Sequence, residues 1–158
     1  MSEDETLFEH VRHGGCMCGA IRYVLKGDPE WVWQCYCRDC QLATGTGHTT
    51  IAAFHKDKVS VTGKPANYTT IGDTGGEVVR HFCPNCASRL FTTGDLPGPL
   101  MIFQSGTLDD PNSVRPTAAI YVKDRLWWDY IDPSLPQFEG MENRYRGETT
   151  FIGRDSAQ

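Results

Sequence analysis

Seven cysteines occur in this 158-residue chain, and all fall in three clusters: Cys16-x-Cys18, Cys35-x-Cys37-x-x-Cys40 and Cys83-Pro-Asn-Cys86. Chance placement would scatter them. Thiolates at such short separations suit a metal ion, because zinc takes four tetrahedral ligands in a structural site and three plus an exchangeable position in a catalytic one. Seven thiolates divide as four plus three. The middle cluster supplies three neighbouring ligands by itself, which leaves the two outer pairs for a closed site. A rival division joins the first two clusters and leaves Cys86 or another cysteine over. An iron–sulfur cluster would also accept four thiolates. A redox dithiol at Cys83 and Cys86 would want a βαβ surround, and the pattern of the chain offers none.

The middle cluster admits two chemistries. As a second structural zinc it needs a fourth ligand, from His48, His55, Asp39 or elsewhere. As an open zinc it can accept a substrate thiolate or a water, and since a bound metal deprotonates a thiol outright, such a site suits sulfur chemistry. The flanks favour metal-binding turns: Gly14-Gly15 and Gly19 border the first pair, and Pro84-Asn85 separate the last, residues that accept the tight turns that point N–H groups at sulfur. His81 stands two residues before Cys83, which on a strand means the same face, so it is expected beside the closed site rather than as a ligand. Arg38 and Lys56 are candidates for binding carboxylates, and Trp31, Trp33, Trp127 and Trp128 for lining a pocket. The commoner uses of such residues are solvated charge and core packing.

The elements that must hold these clusters read as strands. Short β-branched or aromatic runs separated by Gly, Pro, Asn and Asp recur at Ile21 to Leu25, Trp31 to Cys37, Thr49 to Phe54, Lys58 to Val61, Asn67 to Ile71, Val78 to Phe82, Arg89 to Thr93, Leu100 to Gln104 and Ile120 to Val122. That spacing predicts a β-rich domain. Helical character is confined to Arg38 to Ala43 and the stretch around Asp109 to Val114.

Composition narrows the partners. A net charge of −5 without a basic run argues against nucleic acid, whose phosphates are met with Lys and Arg, and against an anionic membrane surface. No apolar run approaches the roughly 20 residues of a spanning helix. The acidic start Met1-Ser-Glu-Asp-Glu-Thr is unlike a secretory signal. A cytoplasmic address is therefore expected, where thiols stay reduced and patterned cysteines bind metal.

The motifs Gly15-Cys16-Met17-Cys18-Gly19, Cys35-Tyr36-Cys37-Arg38-Asp39-Cys40 with Thr44-Gly45, and Phe82-Cys83-Pro84-Asn85-Cys86 resemble the glutathione-dependent formaldehyde-activating enzyme family, also called the centromere protein V domain family. Ser105-Gly106-Thr107-Leu108-Asp109-Asp110-Pro111, Trp127-Trp128 and Leu135-Pro136-Gln137-Phe138-Glu139 are similar to its C-terminal signature. The resemblance covers residues 13–139, leaving 1–12 as an N-terminal extension and 140–158 as a polar C-terminal tail. It implies a single zinc domain of several coiled β-sheets with little helix and two Zn²⁺ per chain. In it, Cys16, Cys18, Cys83 and Cys86 match the structural zinc positions, and Cys35, Cys37 and Cys40 match the catalytic, more labile ones. The implied activity is that of a carbon–sulfur lyase, forming or cleaving S-hydroxymethylglutathione, with a small-molecule thiol such as glutathione as partner. A non-enzymatic zinc scaffold for protein interaction and a thiol redox or metal sensor are the alternatives. Two positions depart from the family pattern: Tyr36 stands where relatives often carry His or Asn, and Ala87 where Gly is usual.

Overall fold

The computed structural model describes residues 10–95 and 97–141. Most of the 1–12 extension and almost all of the 140–158 tail lie outside those residues. The chain divides into two compact units: the described residues up to Glu30 with Ala52–Ser113, and Trp31–Ile51 with the described residues from Val114 on.

In the first unit, β1 (Val11–Gly15) and β2 (Arg22–Lys26) form an antiparallel hairpin, and β2 pairs on its other side with β5 (Val59–Thr62). A second hairpin joins β7 (Glu77–Phe82) and β8 (Arg89–Gly94), flanked by β6 (Ala66–Ile71) against β7 and β9 (Leu100–Gln104) against β8. β2 shows why these segments are strands: Tyr23 and Leu25 point inward while Arg22 and Lys26 face solvent, the two-residue alternation of a half-buried strand. Aromatic rings fill the core. Phe103 is fully buried, with the rings of Tyr23, Phe91 and Phe54 at 4.5, 5.2 and 6.2 Å, and burying one such side chain stabilises by about 1.5–3 kcal/mol.

Sequence patterning overlooked β1 because its inward positions are Arg12 and Gly14. Arg12 is buried yet satisfied: its guanidinium donates to the Gly27 carbonyl at 2.7 Å and the Ser113 carbonyl at 3.0 Å. Such pairing is what allows a charged group inside. Gly14 sits opposite Tyr23 in the ladder, whose hydroxyl shares a 2.6 Å hydrogen bond with the Thr107 hydroxyl.

The second unit is built on β3 (Trp31–Cys35), which pairs in parallel with β10 (Ala118–Ile120). Burial of nearly every residue of both strands accounts for their continuous apolar character. Trp31 and Trp33, two positions apart and so on one face, stack at 3.8 Å. The chain then enters α1 (Arg38–Thr44), the one α-helix among the described residues, and β4 (Thr49–His55) carries it from this unit to the other. The strand expected at Ile120 to Val122 is displaced to Ala118–Ile120. Tyr121 takes a left-handed backbone, φ 55°, and starts a 3₁₀ turn at Val122–Asp124. Around Asp109 to Val114 the expected helix amounts to one 3₁₀ turn, Pro111–Ser113. The structure is thus β-rich with little helix.

A methyl group on Gly14 would lie 2.3 Å from the Tyr23 hydroxyl and 2.6 Å from the Thr107 carbonyl oxygen. Gly14→Ala is expected to lower the stability of the protein by about 1–3 kcal/mol through overpacking. Chemical denaturation checks this, with Gly106→Ala, where the added atom meets nothing within 4 Å and the backbone is not left-handed, as a control for glycine replacement elsewhere.

Candidate metal centres

The two outer cysteine pairs occupy the turns of the two hairpins. β1 ends at Gly15 and β2 starts at Arg22, so Cys16 and Cys18 lie in the first turn; β7 ends at Phe82 and β8 starts at Arg89, so Cys83 and Cys86 lie in the second. The turns share a hydrogen-bonding plan. The Cys16 N–H donates to the Ile21 carbonyl at 3.0 Å, and the Cys83 N–H to the Ser88 carbonyl at 2.9 Å. Each turn reverses at a left-handed residue, Gly19 with φ 80° and Ala87 with φ 65°. Glycine takes that conformation freely and alanine does not, so Ala87 carries strain there.

The fold brings all four of these sulfurs within 4.8 Å of one another. Cys16 to Cys18 is 3.6 Å and Cys18 to Cys83 is 3.7 Å. Tetrahedral zinc–sulfur bonds of about 2.3 Å would set sulfurs roughly 3.8 Å apart, whereas a disulfide would bring them to about 2.05 Å. None of the seven cysteines is in a disulfide. N–H groups are aimed at the sulfurs as thiolates require: Ile21 donates to Cys16 Sγ at 3.3 Å. Hydrogen bonds from the Ser88 hydroxyl and backbone, with the Cys18 N–H, lower the Cys86 thiol to about 5. The Ser88 hydroxyl also accepts from the Met17 N–H at 3.0 Å, tying one turn to the other. Ser88 was not singled out from the sequence; its only signal there is a small hydroxyl residue two positions after the last cysteine.

The middle group forms where β3 gives way to α1. Cys35 closes β3, aligned with Ile120 of β10. Cys37 caps α1, its backbone extended and its sulfur accepting the Cys40 N–H at 3.3 Å. The helix stops at Gly45, left-handed at φ 74°, the usual C-terminal solution. The Cys35, Cys37 and Cys40 sulfurs lie within 4.8 Å of one another, and among the described residues no ligand atom of a fourth His, Cys, Asp or Glu joins the group. Contact with Cys37 and Cys40, together with burial, holds the Cys35 thiol well above its ordinary range. Three crowded thiols resist ionising together, and a cation is what would offset that. The donor sets of both groups therefore fit a thiophilic metal such as zinc.

The histidines weighed as ligands have other uses. His48 Nδ1 lies 2.6 Å from an Asp129 carboxylate oxygen, with the imidazole stacked on Tyr36 at 4.7 Å. His55 Nδ1 accepts the Asp57 N–H. The His81 imidazole shares a 2.8 Å hydrogen bond with the Thr93 hydroxyl and stacks on Phe91, and burial lowers its pKa. Tyr36 is fully buried, its hydroxyl donating to the Tyr130 carbonyl at 3.1 Å, and burial raises its pKa. Asp129 escaped the sequence reading because 81 positions separate it from His48. The four tryptophans divide: Trp31 and Trp33 are core, whereas Trp127 is 94% and Trp128 56% exposed.

Two stability measurements probe the division into sites. Cys83→Ser should lower stability by more than about 3 kcal/mol, roughly 10 °C in Tm, because metal bound between distant segments contributes to folding. Cys37→Ser should cost about 1 kcal/mol or less, since serine also serves as an N-cap. Equal losses in thermal melts would contradict that division. Ala87→Gly should raise stability by about 0.5–1 kcal/mol, the left-handed strain relieved less the added flexibility of the unfolded chain.

Residues 11–124 match the family described as glutathione-dependent formaldehyde-activating enzyme. A Halomonas elongata protein, whose own name provisionally assigns it that activity, is 32% identical over 149 residues, covering 79% of this chain and 92% of the relative. The crystal structure of a Rhodobacter sphaeroides protein from a structural-genomics programme overlaps 66% of this chain and 91% of that one, with a TM-score of 0.48 and 17% identity. The match spans all three cysteine clusters, and with the 32% identity to the Halomonas protein it establishes the kinship: the chain belongs to the glutathione-dependent formaldehyde-activating enzyme family.

Proposed function

We propose that the protein is a zinc-dependent enzyme of carbon–sulfur lyase type that forms or cleaves an adduct of glutathione or a similar thiol, S-hydroxymethylglutathione being the family's form of it. The observation that carries this reading is the three-sulfur group of Cys35, Cys37 and Cys40, which no ligand atom of a fourth His, Cys, Asp or Glu joins among the described residues. Zinc held there would supply a Lewis acid with one position for an exogenous sulfur. Cys16, Cys18, Cys83 and Cys86 would hold the second, structural zinc.

In the forward direction the thiol sulfur adds to the aldehyde carbon, the carbon–sulfur bond forms, and the carbonyl oxygen takes up the proton that the thiol releases. The reverse step breaks that bond and returns the proton to sulfur. The chain supplies the frame for this. Cys37 is fixed as the cap of α1, Cys35 is locked in the β3–β10 ladder, and Gln41 anchors the helix to the Tyr36 carbonyl at 3.0 Å. In the same unit His48 is oriented through Nδ1 by Asp129. Reduced thiols suit a cytoplasmic address. No helix among the described residues is long and apolar enough to cross a membrane.

A zinc scaffold for protein interaction is the second reading, favoured by the exposure of Trp127 and Tyr130. Titrating glutathione into the cobalt-substituted protein separates the two. Addition of a sulfur ligand should change the thiolate-to-metal absorption in wild type and leave Cys37→Ser unaffected. An unchanged wild-type spectrum at millimolar glutathione would reject the enzyme reading in favour of the scaffold.

A further inference from the structure

Gln41 is a buried amide with both ends engaged. Its Nε2 donates to the Tyr36 carbonyl at 3.0 Å and to the Asp124 carbonyl at 2.9 Å, and its Oε1 accepts from Arg38 Nη1 at 3.1 Å. A buried glutamine costs free energy unless its polar atoms are paired, so these three bonds define one arrangement. That arrangement fixes two things at the same edge of α1. One is the guanidinium of Arg38, an exposed residue that directly follows Cys37. The other is the turn at Asp124, 83 positions away, which carries Lys123 and Arg125 on either side.

Arginine presents five N–H donors in a planar fork. Gln41 uses one of them, and in doing so orients the rest. Asp39 follows Arg38 in the chain and Asp124 supplies the carbonyl that Gln41 holds, so this is not a general anion trap in a chain of net charge −5. Recognition would depend on a directed fork meeting a planar carboxylate, the geometry in which arginine surpasses lysine.

We propose that Arg38, positioned by Gln41, recognises a carboxylate of the thiol held at the Cys35, Cys37 and Cys40 group, so that the substrates are anionic thiols rather than thiols in general. This rests on the reading of that group as an open thiol site. It assigns Arg38 to binding and specificity, and Gln41 to positioning it.

Isothermal titration of the zinc-loaded protein with glutathione, glutathione diethyl ester and 2-mercaptoethanol tests the assignment. Wild type should bind glutathione about 10- to 100-fold more tightly than its diester, the range a charge-assisted hydrogen bond supplies. Arg38→Ala should abolish that preference while leaving 2-mercaptoethanol affinity within about twofold, and Arg38→Lys should restore only part of it. Arg38→Ala removes the donor to Gln41 Oε1, so thermal melts of both variants accompany the titrations, and retained 2-mercaptoethanol binding shows that the group itself is intact. If wild type binds all three thiols equally, or Arg38→Ala weakens glutathione and 2-mercaptoethanol alike, the carboxylate subsite is refuted and the open thiol site stands. If wild type binds none of them, both are refuted.

Discussion

Cys18 and Cys83 sulfurs stand 3.7 Å apart although 65 positions separate them, and much of the first unit can be understood from that juxtaposition. Thiols at this spacing cannot all ionise beside one another without a cation, and thiols that stay neutral gain little from crowding. The arrangement becomes favourable when a metal supplies positive charge and oriented N–H groups share the negative charge left on sulfur. The two hairpin turns meet both needs. Each aims backbone at its cysteines, each reverses at a left-handed residue, and the Ser88 hydroxyl joins them through Cys86 and Met17. The strands β1, β2, β7 and β8 follow from where those turns must be delivered.

The middle group rests on a different balance. Cys35, Cys37 and Cys40 span six residues, so a strand end and the first turn of a helix suffice to gather them, and closing so short a loop costs little entropy. Its long-range ties run instead through side chains around it. Gln41 reaches Asp124, the Tyr36 hydroxyl reaches Tyr130, and His48 reaches Asp129. All three join the segment around α1 to Asp124–Tyr130. The frame of the group is thus held from several directions, as a preorganised site requires.

The family match over residues 11–124 takes in both cysteine groups. Ala87 and Tyr36 have different physical standing. Ala87 is a local cost, a methyl group in a conformation glycine takes freely. Tyr36 is integrated: fully buried, stacked with His48, packed with Ala119 and Ile131, and hydrogen-bonded to Tyr130. A histidine or asparagine there would leave that packing unfilled, so Tyr36 is part of how this chain frames its three-cysteine group.

Cysteine spacing and β-branched runs are local properties, and they were legible in the sequence. The three clusters, the starts of eight of the ten strands among the described residues to within one position, and the helix at Arg38 follow from neighbours along the chain. Patterning failed at β1, where a buried arginine and a glycine replace the apolar alternation, and at β10, where Tyr121 takes an unusual backbone angle. The pairing of the outer clusters came from parsimony and the family resemblance rather than from spacing. Tertiary structure alone decided which sulfurs meet, that Ser88 bridges the two turns, that Asp129 orients His48, and that Gln41 ties α1 to the turn at Asp124. These contacts join positions two to 83 apart, and their energies depend on burial and direction. Neither quantity exists in the order of the residues until the strands have paired.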